Sequence, residues 1–370
     1  MLTSLAEALT EGRKPPQEEL NHALRLLKEA LELFQRCLNL QEYKYEQAQE
    51  EAAQAAEEPL TIDGNVEQSN ISGTRSSASE EEVWASVEEP VTKDTLLDTG
   101  IAQLETMTTF CNLGNIQGHN GLAWIEEYYQ NTLEDKVNYY VGATTRQHEL
   151  ALAKAKFVSA ISDAAFRNGR LDLLTYEREL TAAFTSPELS LVGDPQGLSD
   201  RADAELSFNT NIQASVPNEH REGIPQFASI CWKHITRALD SLTAASRLPD
   251  ALNLPRIHLR RGDCEMLRLR LGEAPLKYDL AQKSMPTLLK NAEVFYHGAG
   301  ALAKRSKDDE EEQNEAEVKE ALAAALAGDT QKLMMLIKLK RDPVETTAEE
   351  MKDEGLLGEE GLQKLGELFV

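Results

Sequence analysis

Arg256, Arg260 and Arg261, in the stretch PRIHLRRGDCEMLRLRLG at residues 255–272, carry the most specific chemistry in this chain. Arg256 and Arg260 are four residues apart, so a helix puts them on one face with Arg261 beside them. Guanidinium groups can fork a carboxylate bidentately, which is the chemistry of gripping an acidic peptide or a free C-terminus. The plainer reading of the same residues is a solvated basic face, paired with Glu265 or with the acidic tail.

The opposite charge is gathered in three places. Residues 47–90 carry eleven acids against Arg75, residues 308–320 eight against Lys319, and residues 342–370 nine against Lys352 and Lys364. Those segments account for nearly all of the net charge of −25. The rest of the chain is close to neutral, so the acidity belongs to appendages. It argues against nucleic acid, whose phosphates would be repelled, and favours a basic partner. Asp308, Asp309, Glu310, Glu311 and Glu312 are the densest run and the natural candidates for steering such a partner. Trp84, flanked by acids in EEEVWASVEEP, reads either as an anchor docking back onto the body or as a short linear motif.

Catalytic chemistry finds little support. The seven histidines (His22, His119, His148, His220, His234, His258, His297) are scattered, without HExxH or another zinc spacing. There is no GxxxxGKS/T phosphate loop, no GxGxxG and no GxSxG elbow. The polar turn Gln117–Gly121 reads as a loop, because no nucleophile motif accompanies His119. The four cysteines, Cys37, Cys111, Cys231 and Cys264, form no CxxC pair, and three sit inside apolar helical patterns as buried thiols would. The first residues lack the pattern of a secretory leader, and no window approaches the ~20 apolar residues of a membrane span. The reading is a cytosolic or nuclear protein, not an enzyme, with no cofactor and no metal.

The elements that must position these residues are helices. Gly and Pro are few (21 and 13), Ala, Leu and Glu abundant, and no alternating β-branched run demands a sheet. An amphipathic helix is expected over Glu18 to about Glu46, with Leu27, Ala30, Leu31, Phe34, Cys37 and Leu38 near one face and Leu2–Leu9 as a short partner. Residues 47–90 lose periodicity and read as a disordered insertion. Further helices are expected from Thr95 to Gly114 and around Trp124–Tyr140. After them come Thr145–Arg167, Leu171–Phe184, Asp200–Ile212 with Ser199 as cap, Gln226–Leu248, Arg256–Leu271 and Pro286–Ala303. Beyond the acidic run, Val318–Leu326 and Gln331–Lys340 make a small helical element. The end, GLLGEEGLQKLGELFV, reads as a fold-back cap or a tail for a partner's groove.

Ala164 to Pro187, AAFRNGRLDLLTYERELTAAFTSP, has an aromatic (Phe166), a turn glycine (Gly169), a second apolar helix (Leu171, Leu174, Tyr176, Ala182) and a closing proline. Ala238, Leu242 and Ala245, closed by Pro249, repeat the small–large–small spacing. In these features the chain resembles the tetratricopeptide-repeat superfamily. That resemblance implies a right-handed α-solenoid of antiparallel helix pairs whose concave face holds a peptide or protein. Arg256, Arg260, Arg261 and Gly262 are similar to the Lys-x-x-x-Arg-Arg-Gly helix with which some co-chaperones of that superfamily clamp a carboxylate. It implies asparagines from earlier repeats, with Asn209 and Asn211 as nearest candidates. LFQRCLNLQE followed by an acidic interruption is similar, by analogy, to nuclear histone chaperones that break such an array with an acidic loop.

The expected organisation is a first repeat at 1–46, the insertion at 47–90, a helical solenoid at 91–303, an acidic linker at 304–320 and a helical tail at 321–370. The leading expectation is a chaperone or assembly factor for a basic client, such as a ribosomal protein or histone. A co-chaperone adaptor using Arg256 and Arg260 on an acidic C-terminal peptide is the alternative. A helical enzyme is a distant third.

Overall fold

A computed structural model describes residues 3–4, 16–57, 90–113, 119–215, 226–305 and 310–366. Among these, every regular element is a helix. They are α1 (Gln17–Glu57), α2 (Lys93–Asn112), α3 (His119–Tyr128), α4 (Glu134–Val141), α5 (Gln147–Arg167), α6 (Leu173–Ala183) and α7 (Pro195–Ser215). After these come α8 (Phe227–Ala245), α9 (Leu254–Arg270), α10 (Asp279–Ala303), α11 (Glu310–Leu326), α12 (Gln331–Leu339), α13 (Arg341–Asp353) and α14 (Glu359–Gly366). A π-helical turn, Tyr129–Leu133, joins α3 to α4. No described helix is long and apolar enough to cross a membrane. The chain divides into two compact units, Met1–Met107 with Glu126–Arg146, and Thr108–Ile125 with Gln147–Val370.

In the first unit, α1 buries Leu20, Ala23, Leu27, Ala30, Leu31 and Leu38, the three-and-four spacing of one helix face. Leu97, Ile101 and Leu104 of α2 and Leu133, Val137 and Tyr140 complete the core. Polar pairs fix the register: Thr99 Oγ1 donates to Gln41 Oε1 at 2.8 Å, and Tyr128 OH to Gln103 Oε1 at 2.5 Å.

The second unit packs in chain order. α5 lies against α6 and α7, α7 against α8, α8 against α9, α9 against α10 and α10 against α11, while α12, α13 and α14 gather on α11 or its neighbours. The α5–α6 turn shows why sequence dictates this. Gly169 has φ +69°, a left-handed conformation that costs glycine nothing. Arg170 N–H then reaches Ala165 O at 2.8 Å and Gly169 N–H reaches Phe166 O at 2.9 Å, closing α5 with a Schellman motif. Asp172 opens α6 by accepting from Thr175 N–H at 2.9 Å. Farther along, Gly262 lets α9 and α10 touch, because a Cβ there would run into the Tyr296 ring.

Several expectations shift. α1 runs on to Glu57, past the expected break at 46, and Cys37 is exposed while Cys111, Cys231 and Cys264 are buried. On α6, Leu174 and Ala182 face solvent, and Tyr176 and Leu180 take the core with Leu173 beside them. Ser199 is no cap: α7 begins at Pro195, Ser199 Oγ donates to Pro195 O at 2.9 Å, and Asp194 Oδ1 accepts from Gly197 N–H. α10 starts at Asp279 and carries Pro286 inside it. The 304–320 stretch is largely helix, since α11 begins at Glu310 and buries Ala316, Val318 and Lys319. α13 buries Val344, Ala348 and Met351 in a segment expected to be an acidic tail, and α14 buries Leu365 as it packs on α11. Most of Leu2–Leu9, Trp84, the Gln117–Gly121 turn in part, and Asp308 and Asp309 lie outside the described residues.

Candidate functional site

The second unit's polar cleft, about 290 Å³ in volume, opens between α5 and α7. Lys156, Ser159 and Asp163 on α5 recur at three and four residues, and Asp200, Asp203 and Ser207 on α7 repeat that spacing. Each helix therefore turns one polar stripe towards the other. Every aspartate has a basic neighbour. Lys156 Nζ lies 3.3 Å from Asp200 Oδ2, near enough for an ion pair but out of line for a hydrogen bond. Arg167 Nε donates to Asp163 Oδ2 at 3.0 Å, and Arg260 donates to Asp203. Tyr176 OH and Asn211 Nδ2 also donate to Asp163 Oδ1, the phenol at 2.6 Å. Burial pushes the Asp163 and Asp203 carboxyls above their ordinary values, because Arg167 and Arg260 offset only part of the lost hydration.

Behind the cleft an aromatic column ties four helices together. Phe166 stacks on Tyr176 at 5.0 Å, Tyr176 meets Phe208 at 4.7 Å, and Phe208 meets His234 at 4.1 Å between ring centroids. The imidazole of His234 is fully buried, with Nδ1 against Glu205 and Nε2 3.3 Å from Glu177 Oε1. Lys233 Nζ donates to Glu177 at 2.6 Å. Burial works to raise Glu177, yet the hydrogen bonds from Lys233 and His234 outweigh it and hold the carboxyl below its usual range.

The arginines expected to clamp a carboxylate are drawn to separate partners. Arg256 Nη1 donates to Glu315 Oε2 of α11 at 3.1 Å, Arg260 bonds Asp203 of α7, and Arg261 lies over the Phe295 ring at 4.1 Å. Asn209 is wholly buried; its Oδ1 accepts from Gln213 Nε2 at 3.1 Å, and its Nδ2 has no hydrogen-bond partner. Asn211 faces Asp163 rather than an arginine. The basic helix thus meets the acidic run within the chain, through a surface pair of Arg256 with Glu315.

That acidic run is itself largely structural. Glu310, Glu311 and Glu312 form the first turn of α11, where carboxylates complement the helix dipole. Glu315 faces Lys319, Glu317 faces Lys340, and Glu320 faces Lys332. Lys319 is 2 % exposed and lies 3.0 Å from Asp263, 2.9 Å from Glu315 and 3.6 Å from Glu354. Burial would lower its pKa, but those carboxylates reverse the effect and hold the ammonium charged. Tyr296 OH donates to Asp263 at 2.8 Å from the same cluster. Among the described residues, no group of three His, Cys, Asp or Glu side chains is placed to hold a metal ion.

Sequence reasoning missed Asp163, Asp200, Asp203, Glu205 and His234 as a constellation. For Asp163, Asp200 and Asp203 the only signal was the three-and-four spacing repeated on α5 and α7, which becomes meaningful once those helices face each other; Glu205 and His234, on α7 and α8, carried none. No family model, curated protein or solved structure matches this chain.

Proposed function

We propose that the chain is a protein-binding helical scaffold, resembling the tetratricopeptide type, and that its partner is a basic polypeptide such as a ribosomal protein or histone before assembly. The observation that carries this reading is the aspartate-lined cleft between α5 and α7. Its volume suits a side chain rather than a metabolite, and its stripes set Asp163, Asp200 and Asp203 against Lys156 alone on the wall. An incoming lysine or arginine can exchange with the chain's own cations there, so the site is prepared for positive charge. Packing in chain order supports stacked helix pairs in the second unit, the arrangement in which such arrays present a binding face. Acidic sequence outside the described residues then adds steering at long range. A cytoplasmic or nuclear setting fits such a client.

The adaptor reading has less support, because Arg256, Arg260 and Arg261 diverge to three intramolecular partners. Binding of a purified core histone and of an acidic C-terminal peptide, measured side by side, separates the two. Histone binding that weakens about tenfold or more between low and high salt fits the basic-client reading. Asp200→Asn should weaken it further while leaving the fold intact. Binding of the acidic peptide alone, lost in Arg256→Glu, would replace this reading with the adaptor.

A further inference from the structure

The first unit holds a second cavity of about 290 Å³, walled by tyrosines and carboxylates. On α1, Glu42, Tyr45 and Glu46 fall on one face at three- and four-residue spacing; on α4, Asp135 and Tyr139 are likewise four apart, with Tyr140 beside them. Glu42 is already committed. Lys136 Nζ donates to its Oε2 at 2.7 Å and Tyr140 OH donates to its Oε1. Burial first, then Glu42, push the Tyr140 phenol far above its ordinary pKa, so it remains a neutral donor that holds this wall in place. Glu46 and Asp135 stand on opposite walls, and neither forms an ion pair among the described residues. Three carboxylates against Lys136 leave the lining negative. Tyr139 is 64 % exposed, and Lys93 Nζ already lies 4.3 Å from its ring centroid, so this π face attracts a cation within the chain itself.

We infer that this pocket is a receptor for an arginine side chain of the basic partner, gripping the guanidinium between the Tyr45 and Tyr139 rings and the carboxylates of Glu46 and Asp135. A planar guanidinium covers a tyrosine face and offers a fork of donors to acids on two sides. A lysine ammonium is compact and strongly hydrated, and cannot do both at once. The inference rests on the reading that the partner is basic, and names the side chain that this part of the molecule selects.

The test uses the full chain and a capped, fluorescently labelled peptide of alternating glycine and arginine, with the citrulline peptide as its neutral isostere and the lysine peptide as a second control. Fluorescence anisotropy should show arginine bound more tightly than lysine, and citrulline not bound. Tyr139→Ala and Asp135→Asn, both at exposed positions, should each weaken the arginine peptide by about fivefold, and Tyr139→Phe should retain it. Lys93→Met should tighten binding by freeing the ring. Equal binding of the citrulline peptide, or no effect of the Tyr139 and Asp135 variants, would overturn the assignment. If those variants are silent while the histone still binds with its salt dependence, this pocket is wrong and the basic-client reading stands; if neither peptide nor histone binds, both fall.

Discussion

The second unit contains two clusters of the same chemistry whose cations differ in their access to water. Around Lys319, an ammonium with almost no access to water meets Asp263, Glu315 and the largely exposed Glu354, and ties α9, α11 and the end of α13 together. In the α5–α7 cleft, Lys156, Arg167 and Arg260 each meet an aspartate, and these cations keep 36 %, 24 % and 33 % of their side-chain surface exposed. A sealed cation cannot be replaced without opening the core, so it serves the fold. An accessible one can be replaced by an incoming cation, which is what the proposed binding role requires. The two clusters differ in the burial of their cations, and charge counts alone conceal that difference.

Lys319→Met breaks the comparison hardest. It leaves the partly buried Asp263 and Glu315 without their cation, and removing one partner of a buried pair costs about 3–5 kcal/mol. Chemical denaturation should show that loss, and a variant as stable as the parent would mean the cluster is not sealed. Gly262→Ala comes next, since the new methyl group collides with Tyr296; overpacking of this kind costs about 1–3 kcal/mol. In contrast, Asp200→Asn, which keeps the side chain's size and removes only its charge, should cost less stability than either while weakening the histone complex. Cys37→Ser, at an exposed position on α1, should be neutral in both assays.

Acidification sharpens the same contrast. Asp163 and Asp203 have raised folded pKa values, so they bind protons more tightly folded than unfolded. They subtract stability at neutral pH and return it as the pH falls through those values, losing the charge that binding needs. Glu177 and Asp194 are held low, Asp194 because hydrogen bonds from Gly197 N–H and His148 outweigh its burial. Their contribution is present above the unfolded carboxylate range and is lost only as the pH falls through their lower folded values. Partner binding should therefore fade before the helical circular-dichroism signal does. Simultaneous loss of both would show that the cleft acids are structural.

Helix content was legible because apolar spacing and turn residues are local signals. The α5–α6 turn could be read from Phe166, Gly169 and Tyr176, since a left-handed glycine leaves few alternatives. The register of α6 could not: Leu174 and Leu173 are adjacent, and only packing against α5 and α7 decides that Leu174 faces out. Pro286 hid the true start of α10, because proline at a first helical position and proline inside a helix look alike in sequence. α13 was concealed by its acids, although Val344, Ala348 and Met351 keep helical spacing. The cleft was beyond sequence reasoning for another reason. Its aspartates lie on two helices, and nothing in either helix announces that they face.

Hydrogen–deuterium exchange of the full chain, with and without a saturating core histone, tests the central claim most directly. The account predicts slowed exchange in the last turns of α5 and the first turns of α7, around Asp163 and Asp203, with the Lys319 cluster unchanged. Protection confined to α9 around Arg256–Arg261, with α5 and α7 unaffected, would contradict it.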